Sequence, residues 1–300
     1  MKITRKFFVF IMLAALATIV LVACSREPEP VITDTRTEIT YRECTETETH
    51  EEEAVQEGET LCVPVLLYHH ILPDAVNQTQ QENSATISTE NFEMQMQYLC
   101  DKGFHTLTHA ELEDFLYKGT PLPPNSVLIH FDDGYYSNFV YAYPILQRFG
   151  HRATVFMITH LIEDLGDYQP PIDHDGVTWT AAHTMRDTTD VFEFASHTHD
   201  MHRVPPGETH TRMYLATKEE IAADTLRSFD FLDNHTAFAY PLGQYNDTII
   251  EGIREAGITM GFTTVDGYVT RDCDPFRLNR FPIWRNMSME RFTNIVNGVG

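Results

Sequence analysis

The chain is predicted to be an α/β protein in which a parallel sheet curls into a single barrel-type domain, and its order of elements carries that expectation. Short apolar runs rich in β-branched and aromatic residues alternate with helix-patterned stretches, the signature of strand–helix units. The polar residues with chemical potential follow directly on those runs, as they do at the carboxyl rim of parallel sheets. Residues 62–300 leave about 240 residues for one well-buried core. In order, 64–71 reads as a buried first strand, a helix carrying Phe92, Met96 and Leu99 stops near Gly103, and a second over 110–117 stops at Gly119. A strand over 127–131 leads to a helix over 136–149 before Gly150, and 153–158 is the next strand. Then come a strand over 191–195, a helix over 217–232, a strand over 238–240 and a helix over 247–256 capped by Gly257. No internal repeat is visible.

Two of these strand ends hold chemistry. Val127-Leu128-Ile129-His130-Phe131 runs into Asp132-Asp133-Gly134, and the strand at 191–195 runs into Ser196-His197-Thr198-His199-Asp200-Met201-His202. An Asp-Asp-Gly alone is often a turn, and a His-rich stretch alone is often a solvated loop. Together, at one rim, they describe a divalent metal held by His nitrogen and carboxylate oxygen, with coordination positions left for water and substrate. The second carboxylate can then take a proton from that water. By strand alternation His199 shares a face with His197, so spacing alone leaves His199 and His202 both open as the second histidine.

These residues resemble the polysaccharide deacetylases of carbohydrate esterase family 4, the NodB-homology group, in their circularly permuted form. The likeness runs over about residues 63–282. It implies a distorted barrel of about seven strands, with Asp132 as general base and Asp133, His197 and His202 as metal ligands. It also places the general acid on His69, in Pro64-Val65-Leu66-Leu67-Tyr68-His69-His70-Ile71, because no His follows His235 where ordinary members carry it. His70 points away by alternation. Phe238-Ala239-Tyr240-Pro241-Leu242-Gly243 resembles the family's groove-wall motif, so Tyr240, Pro241, Leu242 and Gly243 are expected at the substrate and oxyanion position, with a backbone N–H as donor. It departs from the family at Ala239, where an Arg is usual, and at Leu242, where an aromatic is usual. His130 replaces a more common Thr. Asp266, Arg277 and Arg280 fall in a segment similar to the family's late motif. The implied cofactor is a divalent metal, zinc first, with cobalt, nickel or iron suiting similar ligands. The implied reaction is metal-dependent removal of N-acetyl groups from N-acetylhexosamine units of a cell-wall or extracellular polysaccharide. A non-catalytic glycan-binding lipoprotein on the same scaffold and an amidase or esterase for another small acyl substrate are the alternatives, since fold alone does not fix function.

The N-terminus sets the expected location. Lys2, Arg5 and Lys6 precede an apolar run over 7–23, short for a spanning helix and shaped like a signal peptide. Its end, Leu21-Val22-Ala23-Cys24, resembles a bacterial lipobox, which implies a lipid on Cys24 and an extracytoplasmic domain anchored to the membrane; an uncleaved anchor is the other reading. Residues 25–61 hold twelve Asp or Glu against three Arg and almost no aromatic residues, the composition of a self-repelling tether. The formal net charge of −23 disfavours nucleic acid and suits a neutral or partly cationic glycan. Cys44, Cys62, Cys100 and Cys273 allow two disulfides, in three pairings, in an oxidising compartment, with Cys44, in the tether, the one expected to stay unpaired. The domain is expected to act as a monomer.

Overall fold

Seven strands carry the fold, because each is a run whose two faces can both be buried. They are β1 Val65–Tyr68, β2 Ser126–Phe131, β3 Ala153–Met157, β4 Phe192–Ser196, β5 Ala237–Ala239, β6 Met260–Phe262 and β7 Phe281–Pro282. All pair in parallel in the order β6-β5-β4-β3-β2-β1-β7. The computed structural model describes residues 60–77, 81–165 and 190–299. The apolar N-terminal run expected as a signal peptide, with Cys24, and the acidic stretch as far as residue 59, with Cys44, lie outside the described residues. Among those residues no helix is long and apolar enough to cross a membrane.

The sheet is the expected distorted barrel, and its distortion has two visible sources. The short strand His105–Thr106 occupies the start of one β2 edge, at Ser126 and Val127, while β3 pairs with the end of that edge at His130 and Phe131. At the other extreme, Leu278 makes a single parallel bridge to Phe262 of β6, three residues before β7 begins to pair with β1. One short segment therefore touches both edges of the sheet.

Side-chain alternation sorts the strands into a lumen face and a helix face. Val65, Leu128, Phe156, Ala195, Ala237, Ala239 and Phe262 pack inside. Leu66, Tyr68, Val127, Ile129, Phe131, Val155 and Phe194 pack outward against the helices. Helix α1 (Thr89–Asp101) starts at the Ser88 cap and buries Phe92, Met96 and Leu99. Helix α2 (His109–Lys118) starts with a Thr108/Glu111 capping box and ends at Gly119, with φ +69°. The helix expected over 136–149 divides into a π-helical turn, Asn138–Ala142, and α3, Tyr143–Arg148. Pro144 explains the break, since it has no N–H for an interior helical bond. Next are α4 (Thr159–Leu165), a single turn Arg212–Leu215, α5 (Lys218–Ser228), α6 (Asp247–Glu255) and α7 (Met289–Val296).

The first strand is not continuous over 64–71: β1 ends at Tyr68, and His70–Ile71 turns to pair with Thr86–Ile87. Cys62 and Cys273 are free thiols and Cys100 is disulfide-bonded, so the four cysteines do not make two bridges among themselves. His130 sits wholly buried in the lumen, its Nε2 3.1 Å from His109 Nε2. Burial, helped by His109 and Arg280, holds its pKa well below that of a free imidazole, so the ring is neutral. Its neighbour His109 faces Glu193, and Asn234 donates to the same carboxylate at 2.8 Å. Burial raises the Glu193 pKa, yet His109 and these hydrogen bonds outweigh it and bring it to about 2. His130 is thus a packed component behind the site.

Candidate active site

The carboxyl ends of β1, β2, β4 and β5 converge on one rim, and each delivers a polar group there. Asp132 and Asp133 follow β2 directly, His197 follows β4, His69 follows β1, and Pro241-Leu242-Gly243 lie just beyond β5. Alternation selects the faces: His69, Asp132 and His197 continue the lumen rows of Val65, Leu128 and Ala195.

Asp133, His197 and His202 form a compact set whose ligand atoms all lie within 4.8 Å of one another. His197 Nε2 is 3.5 Å and His202 Nε2 3.3 Å from Asp133 Oδ1. His197 Nδ1 lies 2.8 Å from the Ala239 carbonyl oxygen and donates its proton there, which leaves Nε2 as the nitrogen that faces Asp133 and could ligate a metal. Burial raises the Asp133 pKa, but its bonds to the two histidines hold it well below the carboxylate range. Burial likewise opposes a charged His197, but Asp132 and Asp133 outweigh it and raise its pKa. One carboxylate oxygen and two imidazole nitrogens are the donor set of a zinc-type centre with positions to spare. His199 does not join them. Its Nδ1 meets Thr159 Oγ1 at 3.0 Å and its ring stacks on Phe231.

Asp132 is almost fully buried and is gripped by Arg280, with Nη1 donating to Oδ1 at 2.8 Å and Nη2 to Oδ2 at 2.7 Å. Arg280 Nε donates to the Thr263 carbonyl at 2.7 Å, which fixes the guanidinium from behind. Burial raises the Asp132 pKa, and Arg280 first, then His197 and His69, reverse this, leaving it below the ordinary value and ionised at neutral pH. Each carboxylate oxygen has two lone-pair positions, so the bidentate grip leaves room to accept a proton. The orienting Arg absent at Ala239 is supplied from the start of β7. Arg277, by contrast, pairs with Asp274 and Asp247, and Asp266 lies 3.8 Å from Arg291.

His69 acts electrostatically on both Asp132 and Asp133, and Asn138 Nδ2 holds its carbonyl at 2.9 Å. His70 faces the helix side, its Nδ1 2.5 Å from Ser137 Oγ and its ring stacked on Tyr135 at 4.4 Å.

Beyond β5 the four expected groove residues separate. The Tyr240 side chain points outward, fully buried, with its hydroxyl donating to the Phe276 carbonyl at 2.9 Å. It reaches the rim only through its backbone. Leu242 is 57% exposed and left-handed, with φ +54°. The turn's own bonds run from Gly243 N–H to Tyr240 O and from Gln244 N–H to Pro241 O, and the Leu242 N–H is outside them. Gly243 is required here, since its φ is +67° and a Cβ would lie 2.1 Å from Thr264 Oγ1. Gly134, after the two carboxylates, has φ +72° and abuts Met157 in the same way. Among the described residues the left-handed non-glycine positions are Asn125, Asp133, Thr198 and Leu242. All but Asn125 belong to this rim, where backbone strain is characteristically stored.

Residues 119–261 match the model of the polysaccharide deacetylase family. YxkH of Bacillus subtilis (strain 168), classed by name with the polysaccharide deacetylases, is 30% identical over 235 residues, 77% of this chain and 74% of the relative. The poly-beta-1,6-N-acetyl-D-glucosamine N-deacetylase of Staphylococcus epidermidis is 30% identical over 201 residues, 65% of this chain and 67% of the relative. Among solved structures, the Streptococcus pyogenes deacetylase PplD in complex with acetate superposes with a TM-score of 0.66 at 26% identity, covering 79% of this chain and 98% of that one. IcaB from Ammonifex degensii, at 24% identity and a TM-score of 0.61, shares the fold. The chain belongs to the polysaccharide deacetylase family.

Proposed function

We propose that this chain is a metal-dependent hydrolase that removes N-acetyl groups from N-acetylhexosamine units of a cell-wall or extracellular polysaccharide, held outside the cytoplasm by a lipid on Cys24. The observation that carries the chemistry is the placement of Asp132, ionised and clamped by Arg280, beside the Asp133–His197–His202 set. The donor set suits a zinc-type ion, and cobalt, nickel or iron fit the same ligands. When bound, such an ion supplies Lewis-acid polarisation of the acetyl carbonyl and acidifies a water.

The remaining steps belong to the chain. Asp132 takes a proton from the attacking water as its oxygen bonds the carbonyl carbon. The Leu242 N–H donates to the carbonyl oxygen as charge develops there, a contact whose loss in comparable sites costs on the order of 10²-fold or more. His69 gives a proton to the amide nitrogen as the C–N bond breaks, and acetate and a free amine leave. The name of the Staphylococcus epidermidis relative supports a glucosamine-type unit. The strongly acidic chain is compatible with a neutral or partly cationic glycan and attracts the cationic product.

The test is acetate release by the purified protein from chitooligosaccharides, peptidoglycan and poly-beta-1,6-N-acetyl-D-glucosamine, before and after a chelator and with zinc restored. Release that disappears with the chelator and returns with zinc is expected; no release from any of the three sinks the proposal. His69→Ala is expected to cost about 10²-fold in kcat while metal content is unchanged. It should also flatten the alkaline limb of the pH–rate profile, where a general acid loses its proton. An unaltered profile at near-normal turnover places the acid elsewhere.

A further inference from the structure

We infer that Asp224, on helix α5 and outside the metal-binding set, is a positioning residue that holds the ligand-bearing loop 196–202 in the shape metal binding requires. The inference rests on reading Asp133, His197 and His202 as metal ligands. Between those two histidines the chain must leave β4, turn, and return His202 to within 3.3 Å of Asp133. It does so through Thr198 at φ +78°, a left-handed conformation that a β-branched residue adopts only under constraint.

The constraint comes from α5. Asp224 Oδ2 accepts the His199 N–H and Asp224 Oδ1 the Asp200 N–H, both at 2.8 Å. One carboxylate thus ties two successive peptide units in the middle of the loop. One turn further along the same helix face, Ser228 Oγ donates to the Thr225 carbonyl at 2.6 Å and accepts from Ser196 Oγ at 2.8 Å. Ser196 Oγ in turn accepts the Thr198 N–H at 3.2 Å, and Thr198 Oγ1 accepts the Met201 N–H at 3.2 Å. The strained residue is therefore bracketed on both sides, and both brackets trace back to α5. The chemistry of the pair of bonds specifies a carboxylate. Two converging N–H donors need two acceptor oxygens, and an amide in the same place offers one oxygen and turns its NH2 group against the second donor.

The experiment is a competition titration of zinc between a chromophoric chelator and the metal-stripped full chain, in wild type, Asp224→Asn and Ser228→Ala, alongside thermal unfolding of each. Ile295→Val, a core change in α7 within a cluster that holds no residue of the loop, is the stability control. Partners that orient metal ligands typically contribute 10–100-fold in affinity. Asp224→Asn is therefore expected to weaken zinc at least tenfold, with Ile295→Val unchanged in affinity whatever its melting temperature. Zinc affinity within twofold of wild type in Asp224→Asn overturns the inference, as does an affinity loss that Ile295→Val reproduces at an equal drop in melting temperature. Should Asp224→Asn not fold, Ser228→Ala decides: a several-fold weaker zinc affinity supports the brace and an unchanged one overturns it. A wild-type chain that binds no zinc overturns the ligand assignment itself, an outcome distinct from wild type and variants binding alike.

Discussion

Replacing Asp132 by Asn is expected to lower turnover by roughly 10²–10⁴-fold while the protein retains its metal. The substitution keeps the shape of the side chain and leaves Asp133, His197 and His202 untouched, so a metal set built on those residues survives. What disappears is the proton acceptor. The amide can satisfy only one of the two Arg280 N–H donors that meet Asp132 at 2.8 and 2.7 Å, so thermal stability falls as well. Acetate release, metal content by elemental analysis and a melting curve on one preparation separate these effects. Turnover within tenfold of wild type at full metal content removes Asp132 from the role of base.

Arg280→Met is expected to be the most destabilising single change at the site, at about 3–5 kcal/mol, the range for removing one partner of a buried ion pair. Both members are almost wholly excluded from water, so the orphaned carboxylate keeps its desolvation penalty without its partner. The sign of the pH dependence follows from the depressed Asp132 pKa. A carboxylate held lower in the folded state than in the unfolded one contributes stability above its unfolded pKa, near 4, and loses it as pH falls through the folded value. In the variant that contribution is absent, and burial drives the Asp132 pKa upward. The acid limb of the pH–rate profile therefore moves to higher pH. Unfolding curves between acid and neutral pH, with the rate profile of whatever folded fraction remains, measure both. An unshifted acid limb at wild-type stability contradicts the clamp.

Much of this rim was legible in the sequence because strands encode direction. The alternation that puts Leu128 in the lumen carries Asp132 there two pairs on, and the same parity sends His70 outward against Ser137. It also sends Tyr240 outward from β5, so parity held a signal against that side chain that motif likeness overrode. The choice between His199 and His202 was not legible from spacing, because both lie beyond the end of β4, where period-two reasoning stops. A left-handed Thr198 and a carboxylate from α5 decide that geometry, and no local pattern encodes either. Arg280 stood in the late segment as one of two arginines near β7. The longer reach fell to the one whose guanidinium crosses the lumen, while Arg277 stayed on the surface with Asp247 and Asp274. The division of the helix expected over 136–149 follows from Pro144, which was visible, although the π-turn it accompanies was not.

The bridging of both sheet edges by one short segment bears on what counts as a working fragment. The stretch that defines the family by sequence, 119–261, contains both aspartates, both metal-set histidines and the Leu242 turn. It lacks β1 with His69, and it lacks β7 with Arg280, whose partner Asp132 stands 148 residues earlier. A protein trimmed to that stretch keeps the metal set but loses the clamp and the candidate acid, and it exposes an edge of β2 that β1 otherwise covers. The irreducible unit is set by closure of the sheet, so domain grafting or truncation has to be planned around its first and last strands together.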